Sequence, residues 1–535
     1  MAEVVCWLES SLKRVFPKTV AGMRKSITLA AARNDQVSFQ VAARNESTEH
    51  EIDVDVEVES PGDLNVRVRR VGYVPQMHLN TGTPIDEIEG IEHIPGLVPE
   101  PLWPEQSTKL GPAETQAFWV TVTVPPDAKP GAKDLRVRLK IGEKERRTLR
   151  AAIDVHPLVI QPRSDFLVGH WFHADAILDW YKIEPYERRF WDVVRPYMED
   201  YIGHGNNLMF VPHFTPPING EHRPHQLVKV TVSKPGSYRF DFADVRKWVR
   251  MAKSCGADTF FFSHLCTQWG AKEAVRVYLD NSDPSSLLWP KETSSTSDIY
   301  RGFLKQYLPK LRKLMEDEGI ADASFVQMSD EPFGEEALAN YRAAQTMVRE
   351  IAPWIKTIDG LSDLRFWKEG LCDMPIAGET HAHAFAAEGA PHCVYYCCGP
   401  RGPWLNRCFE TPLAKIRMSG WLFYKLRASG FAHWGYNYWY RGCTQEMLNP
   451  FIEQDYGEWP FIPYGDPFVV YPGKDGPLDS IRWEVFAESL HDYALLHSAG
   501  ISPDDPLLKW IRSYEVFPKA EAWIRSARGK VLEGS

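Results

Sequence analysis

Residues 324–336 read SFVQMSDEPFGEE, a short apolar run that ends in two adjacent carboxylates, Asp330 and Glu331, followed by Pro332. A carboxylate pair can do general acid and base work when its members sit in different environments, so that one keeps its proton and the other stays ionised. The same residues can simply start a helix, with Asp330 as the N-cap and Pro332 near the first helical position. The surrounding chain has to separate these roles.

Ordinary glycosidases set two carboxyl groups about 5 to 5.5 Å apart for retention, or about 6.5 to 9.5 Å for inversion, on either side of the scissile bond. Neighbouring residues have Cα atoms only about 3.8 Å apart, and in a regular strand their side chains point to opposite faces. A kink at Pro332 would turn both into one pocket. That geometry suits a substrate-assisted reaction, in which the 2-acetamido oxygen of the substrate attacks the anomeric carbon. Glu331 is then the acid/base, kept protonated by partial burial and the neighbouring charge, while Asp330 stays ionised to orient the amide and stabilise the developing positive charge. The alternative pairs Glu331 with a carboxylate from another strand, such as Glu379. A sugar-binding protein without catalysis, in which Asp330 only caps a helix, is a third.

Two kinds of pattern would have to position these residues. Over residues 25–160, runs such as QVSFQVAAR, EIDVDVEVES and DLRVRLKIG alternate apolar and polar with period two, which predicts antiparallel strands with one face on a core. Their spacing predicts a β-sandwich over 1–160. After VIQPRSD at 159–165, short apolar runs alternate with long amphipathic stretches, as parallel strands and helices do. Eight runs fit strands: 165–171, 207–214, 258–265, 324–331, 355–360, 373–378, 393–398 and 431–439. Eight is the number that closes a (β/α)8 TIM barrel, expected over 165–500 with a helical tail over 501–535.

Barrel enzymes carry their chemistry at the C-terminal ends of the strands. On this register those ends hold His170, Trp171, His213, His264, Asp330, Glu331, Glu379, His381, Tyr395, Tyr396, Trp434, Tyr436, Asn437, Trp439 and Tyr440. Aromatic rings to stack on apolar sugar faces, with polar groups to hold hydroxyls, make a carbohydrate the expected substrate. The seventh run, HCVYYCCGPRGPW, ends without the Asp or Glu that many retaining barrel enzymes place there.

Composition excludes other classes. The 535 residues carry 61 basic and 71 acidic side chains, a net charge of −10, so the electrostatic footprint of a nucleic-acid binder is missing. No apolar run reaches the roughly 18 to 20 residues that cross a bilayer. The opening MAEVVCWLESSLKRVFPKTV shows no apolar leader segment, so the expected location is the cytoplasm. The nine cysteines are expected as reduced, mostly buried thiols. A zinc site from His392 with Cys393, Cys397, Cys398 and Cys408 would need a ligand spacing the sequence does not contain. No cofactor and no metal is expected; edges of the sandwich and barrel offer surfaces for a homodimer.

Three stretches carry a family resemblance: MSDEP at 328–332, VYYCCGPRGPWLNRCFETPLAKIRMSGWLFYKLRASGFAHWGYNYW at 394–439, and YGDPFVVYPGKDGPLDSIRWEVFAESLHDYALL at 464–496. Together they resemble glycoside hydrolase family 123 and its wider relatives. The resemblance implies a β-sandwich before a (β/α)8 barrel and an exo-acting, retaining β-N-acetylgalactosaminidase or β-N-acetylhexosaminidase. It assigns Asp330 to the acetamide-orienting aspartate and Glu331 to the acid/base, places Tyr396 and the aromatic run of the eighth strand near the sugar, and turns Asp466 toward the pocket.

Overall fold

The computed structural model describes residues 4–80, 82–143, 145–163, 165–217 and 223–534. The N-terminal part forms two five-stranded sheets. The first runs Val4–Ser10, Asp35–Asn45, Thr115–Val124, Asn65–Gln76, Gly96–Trp103, antiparallel throughout. The second runs Ser26–Arg33, Glu145–Val159, Gly131–Ile141, Ile52–Glu59, Ser107–Leu110. Its first pair is parallel, a departure from the all-antiparallel expectation, because the chain reaches Glu145–Val159 by a long excursion rather than a hairpin.

The period-two runs fold as they do because one face is apolar. In Gly131–Ile141, Leu135, Val137, Leu139 and Ile141 are buried while Arg136, Arg138 and Lys140 point outward. They meet Phe39, Val41, Phe118 and Val120 of the first sheet in one apolar cluster. Thr115–Val124 is buried on nearly every residue, since Ala117 and Trp119 on its other face join the core of the C-terminal part.

Eight short parallel strands lie at the eight runs expected from the sequence: Leu167–His170, Leu208–Val211, Thr259–Phe262, Ser324–Val326, Ile358–Gly360, Met374–Gly378, Cys393–Tyr395 and Gly430–His433. Five form a sheet in the order first, eighth, seventh, sixth, fifth, and three form a sheet in the order second, third, fourth. The two sheets are hydrogen-bonded to one another at both margins. Fourth and fifth strands meet in a parallel bridge, Val326 with Thr357. Between first and second, the Asn207 amide donates to Val168 O at 3.0 Å, and Val168 N–H donates to Asn207 Oδ1 at 2.8 Å.

The helix Asp298–Asp317 shows why the intervening stretches are helical. Ser297 caps it by accepting from Tyr300 N–H, and Phe303, Leu304, Tyr307, Leu308, Leu311 and Leu314 recur at three- and four-residue spacing as its buried face. The expected loop 440–480 contains a hairpin, Val470–Pro472 with Pro477–Asp479. It leads to the helix Ile481–Ser498, which is buried on almost every residue, charged ones included.

Those charges are paired, as buried ions must be. Arg482 Nε donates to Glu100 Oε1 at 2.7 Å, Glu484 meets Arg69 at 2.8 Å, and Arg417 binds both Glu488 and Asp492. Arg69 and Glu100 belong to the first N-terminal sheet. The tail ends in the helix Glu521–Glu533, whose Arg528 reaches Asp492 and Asp35. Much of the charge in the last resemblance stretch therefore docks the two parts together. Among the described residues no helix is long and apolar enough to cross a membrane.

Candidate active site

Beyond the fourth strand the chain stays extended and bonds alternately to its neighbours. Leu265 N–H donates to Gln327 O at 3.0 Å and Cys266 N–H to Met328 O at 2.8 Å on one side. On the other, Ser329 N–H donates to Asp359 Oδ2 at 2.8 Å. Trp269 N–H then donates to Asp330 O at 2.7 Å, and Glu331 N–H to Gly360 O at 2.9 Å. Glu331 has a φ of +44°, a left-handed conformation that a non-glycine residue keeps only where its surroundings hold it. The kink expected at Pro332 is therefore one residue earlier, and it brings both carboxylates to the lining of one cavity.

Helix capping does not explain the pair. The next helix begins at Gly334, and neither Asp330 nor any other side chain caps it. Asp330 is 7% exposed and accepts from Gln268 Nε2 at 3.0 Å through Oδ2. Gly360 makes room for it, since a Cβ there would lie 2.6 Å from Asp330 Oδ1. Glu331 is exposed and accepts from the Tyr395 hydroxyl at 2.5 Å through Oε1.

Burial, then the Glu331 charge, then Asp359 push the Asp330 carboxyl well above the usual carboxylate range. Asp359 stands behind the turn, fully buried, and its own carboxyl is raised from 3.8 to about 7 by burial, against the hydrogen bonds it accepts from Ser329 N–H and the Tyr341 hydroxyl. The expectation that Asp330 stays ionised runs against this upward push on its carboxyl. Asp330 is buried and Glu331 is exposed, so the desolvation falls on Asp330.

The cavity has a volume of about 360 Å³. Trp171, Ala432, His433 and Trp434 line it from the ends of the first and eighth strands, and Trp171 N–H donates to His433 O at 3.0 Å. Trp434 is held by its indole N–H, which donates to Asp466 Oδ2 at 2.8 Å. Burial raises Asp466 to about 6. Trp171 and Trp434 of the expected binding residues thus line the cavity, and Asp466 backs it.

The others lie elsewhere. His170 Nε2 accepts from Arg407 at 2.8 Å while its Nδ1 meets Asn206 Oδ1 at 2.7 Å, so the ring is locked in the core. His213 and His264 are buried outside the lining, and burial lowers both imidazoles to about 3. Tyr436 donates to Asp200 at 2.7 Å, Trp439 to Val470 O at 3.2 Å, and Asn437 bonds both backbone groups of His173. Beyond His433 the eighth strand has ended, so these residues follow a loop rather than the strand register. Tyr396 packs against Phe431 at 5.0 Å, whereas Tyr395, the last residue of the seventh strand, lines the cavity. Glu379 is buried outside the lining, with neither oxygen hydrogen-bonded among the described residues.

Sequence reasoning missed Gly360, at the end of the fifth strand, and Gln268, Trp269, Tyr456, Glu458 and Phe461, which line the cavity from loops without a periodic signal. Cys397, Cys398 and Cys443 line it too, so these thiols are not merely core filling. Among the described residues Asp200, His204 and Asp479 approach closely enough to share an ion. Asp479 is ion-paired with Arg69 and Asp200 with His204, within the docking network.

Comparison with known proteins identifies the class of protein as a glycoside hydrolase. Residues 171–499 match the glycoside hydrolase 123 catalytic domain, and the chain belongs to that family. A family 123 glycoside hydrolase from Clostridium perfringens, described in a study of glycolipid glycan hydrolysis, superposes with a TM-score of 0.74 at 14% identity, over 99% of this chain and 98% of that one. A family 5 xyloglucanase from Bacteroides ovatus gives a TM-score of 0.30 at 8% identity, over 88% of this chain and 98% of that one. No curated protein matches.

Proposed function

We propose that this glycosidase is an exo-acting, retaining β-N-acetylgalactosaminidase or β-N-acetylhexosaminidase that uses the acetamido group of its substrate as the nucleophile. We read the two five-stranded sheets as a β-sandwich over 1–160, the eight parallel strands as a (β/α)8 barrel over 165–500, and 501–535 as a helical tail. The observation that carries the mechanism is that Asp330 and Glu331, adjacent in sequence, line one cavity. Glu379, the partner that a two-carboxylate mechanism would recruit, does not.

In the first step the acetamido carbonyl oxygen bonds to C1 as the bond from C1 to the leaving oxygen breaks, and Glu331 gives that oxygen its proton. Asp330 accepts the acetamide N–H and balances the positive charge of the oxazolinium-like intermediate. In the second step water adds to C1 and gives a proton to Glu331, which restores the acetamido group with retention. Burial favours the neutral form of Asp330, and an amide N–H presented by the substrate favours its ionised form. Trp171 and Trp434 supply the ring surfaces for the sugar.

The test is a panel of aryl β-glycosides that differ at C2 and C4. The 2-acetamido sugars should be cleaved and their 2-hydroxyl counterparts left intact, and the C4 epimers decide between the galacto and gluco forms. Equal cleavage of 2-hydroxyl glycosides would overturn the assignment.

A further inference from the structure

Two large aromatic side chains on the cavity wall are left open to solvent, Trp269 at 60% and Phe461 at 68% exposure. They come from different loops, one after the third strand and one after the eighth. Exposed aromatics on a cavity wall mark a surface that a ligand covers.

Trp269 is also held in a conformation that the chain does not adopt freely. Its φ is +60°, and Ala271, two residues on, has a φ of +52°. Non-glycine residues stay in that region only where surrounding contacts enforce it, and such positions gather at functional sites. Here the contacts tie the loop to the carboxylate turn. Trp269 N–H donates to Asp330 O at 2.7 Å, Ala271 N–H donates to Ser329 Oγ at 3.2 Å, and Ser295 Oγ donates to Ala271 O at 2.6 Å. These bonds fix the backbone that carries the exposed indole relative to Asp330.

From this we propose that Trp269, with Phe461, forms a leaving-group subsite that stacks on the face of a pyranose ring joined to the cleaved sugar. The proposal rests on the exo-acting 2-acetamido reading above. In an exo enzyme the terminal sugar fills the inner part of the cavity, here lined by the buried His433 and half-buried Trp171 and Trp434. What projects past Glu331 toward the exposed rings is the group that leaves. A ring there meets two aromatic faces, whereas a methyl group meets neither.

The experiment uses the Glu331→Gln protein, which should bind without turnover, and calorimetry with two ligands. One is the methyl β-glycoside of N-acetylgalactosamine and the other a disaccharide with the same sugar β-linked to galactose. The disaccharide should bind about tenfold tighter. Trp269→Ala in that background should bring the two affinities together and leave the methyl glycoside unchanged, and Trp269→Phe should keep most of the preference. A preference that survives Trp269→Ala with Phe461→Ala, or a loss shared equally by both ligands, overturns the subsite. Failure of either ligand to bind even with the loop intact overturns the 2-acetamido reading itself, and the subsite with it.

Discussion

Tyr395 donates its hydroxyl to Glu331 Oε1 at 2.5 Å, across the cavity wall from the seventh strand to the turn after the fourth. The bond fixes one oxygen of the exposed carboxyl. Tyr395→Phe should therefore free the Glu331 side chain and lower kcat by about tenfold or more, within the range that positioned acid–base groups supply. KM should change less. Unchanged kcat on an aryl 2-acetamido glycoside would show that Tyr395 does not position the acid.

Gly360 is the space that Asp330 occupies. Its φ is not in the left-handed region, so an alanine there is free of backbone strain, but the new Cβ would lie 2.6 Å from Asp330 Oδ1. Gly360→Ala should keep the thermal transition within a few degrees and still cost about a hundredfold in kcat, because a 1 Å displacement of a reacting group is enough for that. Activity close to that of the unmodified protein would mean that the position of Asp330 is not critical.

Asp359 gives a signature in the pH dependence of stability. Its carboxyl rises from 3.8 to about 7 on folding, so the folded state holds a proton that the unfolded chain releases. The stability that this proton confers is fully present below pH 3.8 and is lost as the pH rises through about 7. Between those limits the unmodified protein should lose stability, relative to Asp359→Asn, with each step up in pH. Thermal unfolding of both proteins from pH 4 to 8 measures the difference, and parallel curves would refute it.

Cys443 is exposed and lines the cavity beside Tyr456, whose hydroxyl is 3.3 Å from its sulfur. Alkylation by a bulky maleimide should inhibit strongly, and a competing sugar should slow the reaction. Cys443→Ser should be active and at least tenfold less sensitive. Equal sensitivity would move the reactive thiol to Cys397 or Cys398.

The period of the apolar runs was enough to reveal the strands, because Leu135, Val137 and Leu139 cannot alternate with Arg136 and Arg138 in any other element and still be buried. The pair Asp330 and Glu331 stood out for a similar reason, as two carboxylates where a strand ends. What the sequence did not reveal was which way side chains turn once a strand stops. Tyr395 and Tyr396 are one residue apart, and only the first faces the cavity. Tyr436, Asn437 and Trp439 looked like a strand end and proved to be core, since the eighth strand stops at His433. Trp269 and Phe461 lie in loops whose shape is set by contacts distant in sequence, such as Trp269 with Asp330. The charges of the buried helix Ile481–Ser498 find partners far away in sequence, in the N-terminal sheet, Arg417 and the tail.

Nucleophilic help from the substrate can be read from one series of rates. Aryl β-N-acetylgalactosaminides whose acetamido group carries none, one, two or three fluorines differ in the electron density of the attacking carbonyl oxygen. If that oxygen is the nucleophile, kcat/KM should fall steeply with each fluorine, by several orders of magnitude across the series. A flat series, with the trifluoroacetamido substrate cleaved as fast as the parent, would contradict the assignment of Asp330 and Glu331 to a substrate-assisted mechanism.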